Sequence, residues 1–316
     1  MNSEYDVVVV GGGAAGLSGA LALARFRRWV LVIDEGTPRN ARAEHVHNYL
    51  TRDGVPPAEL YAIGRSEVTG YGGEVITAGV TAISGASGGF EVAVADGRSF
   101  SARRLLVTTG LADELPDVPG LAERFGRDVV HCPYCHGWEV RDQAIGVLAT
   151  GGMAIHQAQL FRQLSADVTL FLHDGPEPTE DQWEELAARG ISVVQGKVAA
   201  VEVEDDKLSG IRLEGGTVIP RQVLAVAPQM KARAGFLEDL GLKPVELELN
   251  GVVFGTAVPA DASGATEVPG VWVAGNVTDP RAQVVSSAAA GLAAAGALNA
   301  DLIAEETRLA VAARSS

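Results

Sequence analysis

Tyr5-Asp6-Val7-Val8-Val9-Val10-Gly11-Gly12-Gly13-Ala14-Ala15-Gly16 is the stretch on which the fold turns. Tyr5 to Val10 is apolar and β-branched, the pattern of a strand buried on both faces. The glycine loop follows, Leu17 to Arg28 reads as a helix, and Trp29 to Ile33 is a second buried strand ending in Asp34. Each residue type in the loop has a mechanical reason. Gly11 makes the tight turn, Gly13 lets the backbone approach a pyrophosphate, and Gly16 allows close packing of helix on strand. Ala14 and Ala15 complete the loop, and the free N–H groups of the helix start meet the pyrophosphate. Asp34 can accept hydrogen bonds from a ribose hydroxyl and would repel a 2′-phosphate. Alone, Gly-x-Gly-x-x-Gly is weak and is also met as a structural turn. Strand, helix and acid around it make it a dinucleotide site.

The same plan occurs a second time. Ala144 to Ala149 reads as a strand, Thr150-Gly151-Gly152 as a turn, Ala154 to Leu164 as a helix and Val168 to Leu172 as a strand. Between the two units, Gly72 to Leu106 shows short alternating strands, and Leu105-Leu106-Val107 runs into Thr108-Thr109-Gly110. Pro116, Pro119 and Gly120 suit a linker. Strands at Ile191 to Val194, Val198 to Leu213 and Leu224 to Ala227 follow. The chain closes with Val271 to Ala274, Gly275-Asn276 and a small-residue helix from about Ala282. This predicts an α/β protein with two Rossmann-like units, the first discontinuous (1–114 and 243–316) and the second inserted (115–242).

Composition narrows the partners. Of 316 residues, 25 are Lys or Arg and 40 are Asp or Glu, a net charge of −15. Such a surface argues against nucleic acid and against an anionic membrane. Hydrophobic residues at 47% and charged residues at 21% suit a folded globular chain of about two domains. The N-terminus is acidic, unlike a secretory signal, and Ala282 to Ala297 is too rich in Ala and Gly for a span. A cytoplasmic location is the expectation.

Both cysteines lie in His131-Cys132-Pro133-Tyr134-Cys135-His136. Two residues between cysteines suit a redox disulfide or half of a zinc site. Zinc would need His131 and His136 to close a strained tetrahedron, because no second Cys-x-x-Cys exists, so no metal is expected. An inert structural pair is the other alternative.

Together, the glycine loop, the central Cys-x-x-Cys, Thr109-Gly110 and Gly275-Asn276 resemble the low-molecular-weight thioredoxin reductases over essentially the whole chain. Cys132-Pro133-Tyr134-Cys135-His136-Gly137-Trp138-Glu139 looks more like the dithiol oxidases of that superfamily, which close the disulfide of natural products such as holomycin and gliotoxin. The resemblance implies a homodimer that binds FAD, oxidises a small dithiol and hands the electrons to molecular oxygen, giving hydrogen peroxide. It also implies that Gly11, Gly13 and Gly16 hold the pyrophosphate and Asp34 the adenosine ribose. Arg39, Asn40 and Asn48 match a polar loop along the flavin, and Val80 a strand position at the adenine. Gly110 and Gly275 match motif glycines. Asn276 stands where an acid contacts the ribityl chain, and Gln283 faces the flavin pyrimidine. Cys132 is then the outer sulfur and Cys135 the one facing the flavin.

The insert departs from a thioredoxin reductase. Its turn reads Ala149-Thr150-Gly151-Gly152-Met153-Ala154, without the first glycine, and Leu172-His173-Asp174 puts an acid where arginines would grip the NADPH 2′-phosphate. His136, beside Cys135, is the expected base for an incoming thiol, with a structural hydrogen bond as the bland alternative. His131 is the alternative base. His45 and His47 are read as substrate contacts or as a solvated or loop-satisfying pair, and Trp138 as packing under the Cys-x-x-Cys turn.

Overall fold

The computed structural model describes residues 4–86, 88–249 and 251–315. Met1, Asn2 and Ser3, part of the acidic N-terminus discussed above, lie outside them. The chain opens with β1 (Glu4–Val10), α1 (Ala14–Arg25) and β2 (Val30–Asp34). Helix α1 begins three residues before the expected Leu17, because Ala14 and Ala15 are good helix formers once the glycine turn has ended at Gly13. It stops at Arg25, and Arg27 adopts a left-handed φ of 62°. Next come α2 (Pro57–Gly70), β3 (Glu74–Thr77), β4 (Val80–Ala86), β5 (Gly89–Val94) and β6 (Ser99–Val107). Strand β1 lies between β2 and β6, parallel to both, and its Val7 to Val10 are fully or almost fully buried.

Strand β7 (Leu111–Glu114) leads out of this sheet to α3 (Leu121–Arg124), β8 (Val129–Val130) and α4 (Pro133–His136). The second unit continues with β9 (Ile145–Leu148), α5 (Ala154–Phe161), β10 (Val168–Phe171), α6 (Glu180–Ala188) and β11 (Ser192–Val194). A three-stranded meander follows, β12 (Val198–Glu204), β13 (Lys207–Leu213) and β14 (Val218–Pro220), and then β15 (Val223–Val226). The second parallel sheet runs β11-β10-β9-β15-β8. Its Ile145, Val147, Leu170 and Val223 are buried under α5.

Strand β16 (Gln229–Ala232) then pairs antiparallel with β7, so the outgoing and returning chains are neighbours in one sheet. That sheet is completed by the hairpin of β17 (Val245–Leu249) and β18 (Val252–Ala257). The return to the first core is complete before residue 243. Ala234, Leu237 and Leu242 pack among Val8, Val10 and Ile33, although the sequence reading counts them with the insert. Strand β19 (Val271–Val273) joins β6 in parallel, and α7 (Val284–Ser315) ends the chain. Length and composition alone would let α7 cross a membrane. Here Gly291, Ala294, Ala295 and Leu298 are buried on the first unit, and Asp301, Glu305 and Glu306 are ion-paired to Arg28, Arg103 and Arg104.

Candidate active site

Between the units lies a cavity of about 570 Å³. The first glycine turn forms its floor. Gly11 sits at φ +102°, and a Cβ there would come within 2.6 Å of the Thr108 carbonyl, so only glycine makes this bend. Gly16 is closer still: a Cβ would stand 1.9 Å from the Gly11 oxygen, which is what brings α1 down onto β1. Gly16 therefore stands behind the wall, while Gly11, Gly13, Ala14 and Ala15 line it. Gly13 caps α1 without a side chain and faces open space. The N–H groups of the first turn are thus left to meet an anion. Asp34 also lines the cavity, and its Oδ1 accepts from the Gly12 N–H at 3.0 Å.

The remaining candidates sort by position. Val80, Gly110, Gly275, Asn276 and Gln283 line the cavity. So does Asn40, which accepts at 3.0 Å from the Tyr61 hydroxyl. Arg39 is on the wall too, but its guanidinium is held by both oxygens of Asp113, at 2.8 and 2.6 Å, linking the first unit to β7. Asn48 is off the wall. Its Nδ2 donates at 2.7 Å to the Tyr134 carbonyl inside the Cys-x-x-Cys turn, so it staples one unit to the other instead of lying along the cavity.

The far end of the cavity carries the sulfurs. Cys132 and Cys135 form a disulfide with their Cα atoms 5.2 Å apart, and both line the wall. Pro133, with its fixed φ, starts α4 between them. His136 lines the wall as well, and neither ring nitrogen has a hydrogen-bond partner among the described residues. Burial pushes its pKa below the ordinary 6.5, against the opposing pull of Glu139. Burial thus favours its neutral form, the state a base requires. Burial, and then the charge of Arg39, also push His131 down. Its Nδ1–H donates to the Val226 carbonyl at 3.2 Å, which leaves Nε2 as the acceptor.

His45 and His47 line the same cavity. His47 lies between Asp53, 3.4 Å from Nδ1, and Glu139, 3.3 Å from Nε2. The Asp53 contact ties the ring to its own loop, and the approach to Glu139, an ion pair only when the ring is protonated, brings the two units together here. Trp138 does not pack under the turn. It is 67% exposed, with the Arg141 guanidinium 4.0 Å above its ring. Among the described residues no His, Cys, Asp and Glu cluster could hold a metal ion. Sequence reasoning missed Asp113 and Tyr61, whose partners lie 74 and 21 positions away with no local pattern to announce them.

The second glycine turn is different. Val252, just past the tip of the β17–β18 hairpin, stands 3.5 Å from the Cβ position of Gly151 and 3.7 Å from that of Gly152. Thr150 donates to the Ala227 carbonyl at 2.8 Å. Asp174 is ion-paired to Lys197 at 2.7 Å, which holds its carboxyl below the usual range. His173 Nδ1 accepts from the Val198 N–H at 3.1 Å.

Residues 5–293 match the family described as pyridine nucleotide-disulphide oxidoreductase. The chain belongs to this family. Relatives within it bear out the resemblance to thioredoxin reductases. Thioredoxin reductase tcpT of Claviceps purpurea (strain 20.1) is 34% identical over 258 residues, 75% of this chain and 78% of that one. Thioredoxin reductase sirT of Leptosphaeria maculans is 30% identical over 314 residues, 94% of each chain. Among solved structures, that of HlmI superposes with a TM-score of 0.91 at 46% identity, covering 100% of this chain and 98% of that one. The chain is thus a thioredoxin reductase-like oxidoreductase with two Rossmann-type units, and members of the family are typically flavoproteins.

Proposed function

We propose that this oxidoreductase binds FAD and oxidises a small dithiol to a disulfide, with molecular oxygen as the final acceptor. The observation that carries the reading is the pairing of the Cys132–Cys135 disulfide and the first glycine turn on one cavity. The residues present fit the cofactor. Uncapped N–H groups at α1 suit a pyrophosphate, the open side of Gly13 leaves room for it, and Asp34 suits a ribose diol. FAD held there supplies the two-electron acceptor that a reduced Cys-x-x-Cys pair needs and that dioxygen can regenerate.

The protein's own residues account for the thiol chemistry. A substrate thiol gives its proton to His136, whose neutral, unpaired imidazole can take it. The thiolate attacks Cys132 Sγ, the Cys132–Cys135 bond breaks, and Cys135 leaves as a thiolate. The second substrate thiol, once deprotonated, attacks its neighbour's sulfur and expels Cys132. The product carries the new disulfide, and the enzyme keeps two electrons as a dithiol pair. His131 is the second candidate base. We also propose a cytoplasmic homodimer. The resemblance is its support, and the exposed Val285, Leu292 and Ile303 of α7 give a second copy apolar surface to cover.

A second reading, reduction of a protein disulfide by NADPH, is favoured by the names of the relatives. The experiment is flavin reduction under nitrogen by a small dithiol and, separately, by stoichiometric NADPH, followed by readmission of air. Rapid bleaching by dithiol, slow bleaching by NADPH and peroxide release in air are expected. Rapid bleaching by NADPH would replace the oxidase with the reductase.

A further inference from the structure

Asn276 makes more contacts than a ribose partner needs. Its Nδ2 lies 3.0 Å from the carbonyl oxygen of Asp279, 3.3 Å from that of Pro280 and 2.9 Å from that of Ala282. All three are acceptors, so the nitrogen must face them. The turn they close leads directly into α7. The Asp279 N–H donates to Gly275 at 2.9 Å, the Ala282 N–H to Asp279 at 3.1 Å, and the Ser287 N–H to Gln283 at 2.8 Å, which begins the helix. Asn276, Gln283, Val284 and Ser287 all line the cavity, and no acid stands in the first turn of α7. A carboxylate at position 276, the residue type the resemblance implies, has no N–H to give. It would set negative oxygens against three carbonyl oxygens.

We propose that Asn276 is a positioning residue whose amide locks the 279–282 turn and so sets where the head of α7 meets the bound cofactor. Aspartate cannot do this in this chain. The inference rests on the FAD reading above. It adds that the amide is required for the turn and is not a tolerated replacement for an acid.

The test compares the full chain with Asn276→Asp and Asn276→Ala, each stripped of flavin and titrated with FAD by fluorescence quenching. At pH 8 the Asp variant should bind FAD at least tenfold more weakly than wild type, and the Ala variant should lie between them. Protonation restores an O–H donor to the Asp variant, and crowding by carbonyl oxygens raises its carboxyl pKa. Its binding should therefore recover as the pH falls toward 5, relative to wild type at each pH, while the Ala variant shows no such recovery. In the flavin-free proteins, the Ala282 and Ser287 amides should exchange hydrogen faster in both variants. Equal FAD affinity of the Asp variant and wild type at pH 8, or equal protection of those amides, overturns the lock. If wild type itself takes up no FAD, the cofactor reading fails while the exchange measurement still decides the lock. Asn276→Ser, which keeps one donor, replaces the Asp variant should that fail to fold, and its loosening should be smaller than that of Ala.

Discussion

The two strand–turn–helix units share a plan and differ in what meets the turn. In the first, Gly13 opens on the cavity and α1 begins uncapped, while Gly16 lets the helix press onto the Gly11 carbonyl. In the second, Ala154 takes the place of that last glycine, Ala149 that of the first, and Val252 lies against Gly151 and Gly152. One turn leaves its open side to the cavity and the other is approached by Val252 of the protein itself. An anion can reach the N–H groups of a glycine-rich turn only where its open side is left open, and on the proposed reading only the first turn keeps that access.

The largest expected effect breaks this contrast with one methyl group. Gly16→Ala places a Cβ 1.9 Å from the Gly11 oxygen, backbone just past β1, and 2.6 Å from Thr108 Oγ1, which is held by its hydrogen bonds to the Val10 and Gly11 oxygens. Overpacking of this kind costs roughly 1–3 kcal/mol and occasionally more. The variant should purify with little flavin and unfold well below wild type. Gly151→Ala meets only Val252, at 3.5 Å, and should change stability by less than about 0.5 kcal/mol. Flavin absorbance per mole of protein and thermal denaturation check both. Equal flavin content in the two variants would mean that the first turn does not hold the cofactor.

The second unit contributes sulfur and imidazole where the first contributes backbone N–H groups. His136→Ala should slow single-turnover flavin reduction by a small dithiol roughly 10²- to 10⁴-fold, while FAD content stays normal. Because burial lowers the pKa of His136, the acid limb of the wild-type rate should fall below pH 6.5. The base works deprotonated, so the rate is full above that limb and lost as pH drops through it. The variant should lack this limb. A His131→Ala protein that is slow beside a His136→Ala protein of normal speed would transfer the role.

Much of this was legible because it is local. The first glycine loop, Asp34 and the cysteine pair each occupy a few consecutive residues with their own chemistry, and each βαβ unit is one continuous stretch of chain. Helix α2 went unread because Pro57, Tyr61 and Val68 are its only buried residues, too few to print a period. Helix α6 had a readable signal, the Thr179-x-x-Gln182 capping box. The staple from Asn48 to Tyr134 and the bridge from His47 to Glu139 join residues 86 and 92 positions apart. Nothing in either segment announces the other. Asn276 stands where the resemblance implies an acid, and the three carbonyls around its amide are visible only in the folded turn.

The smallest expected effect concerns stability near the sulfurs. Burial holds both His131 and His136 below the ordinary histidine value of 6.5, so the unfolded chain takes up their protons first as pH falls. Stability from these groups is present above pH 6.5 and is lost as pH falls through their folded pKa values. Glu306 and Asp206 are held at about 2, so their losses come in the more acid range below the ordinary carboxylate values. The window just below pH 6.5 therefore belongs to the imidazoles. Thermal denaturation between pH 7.5 and 5.5 should show the midpoint dropping by a few degrees, on the order of 2–4 °C per kcal/mol lost. His131→Gln keeps a donor for the Val226 carbonyl and removes the titrating group. It should flatten that slope without the loss of flavin expected of Gly16→Ala. An unchanged slope would mean that the buried imidazole at position 131 is not what makes this end of the cavity sensitive to pH.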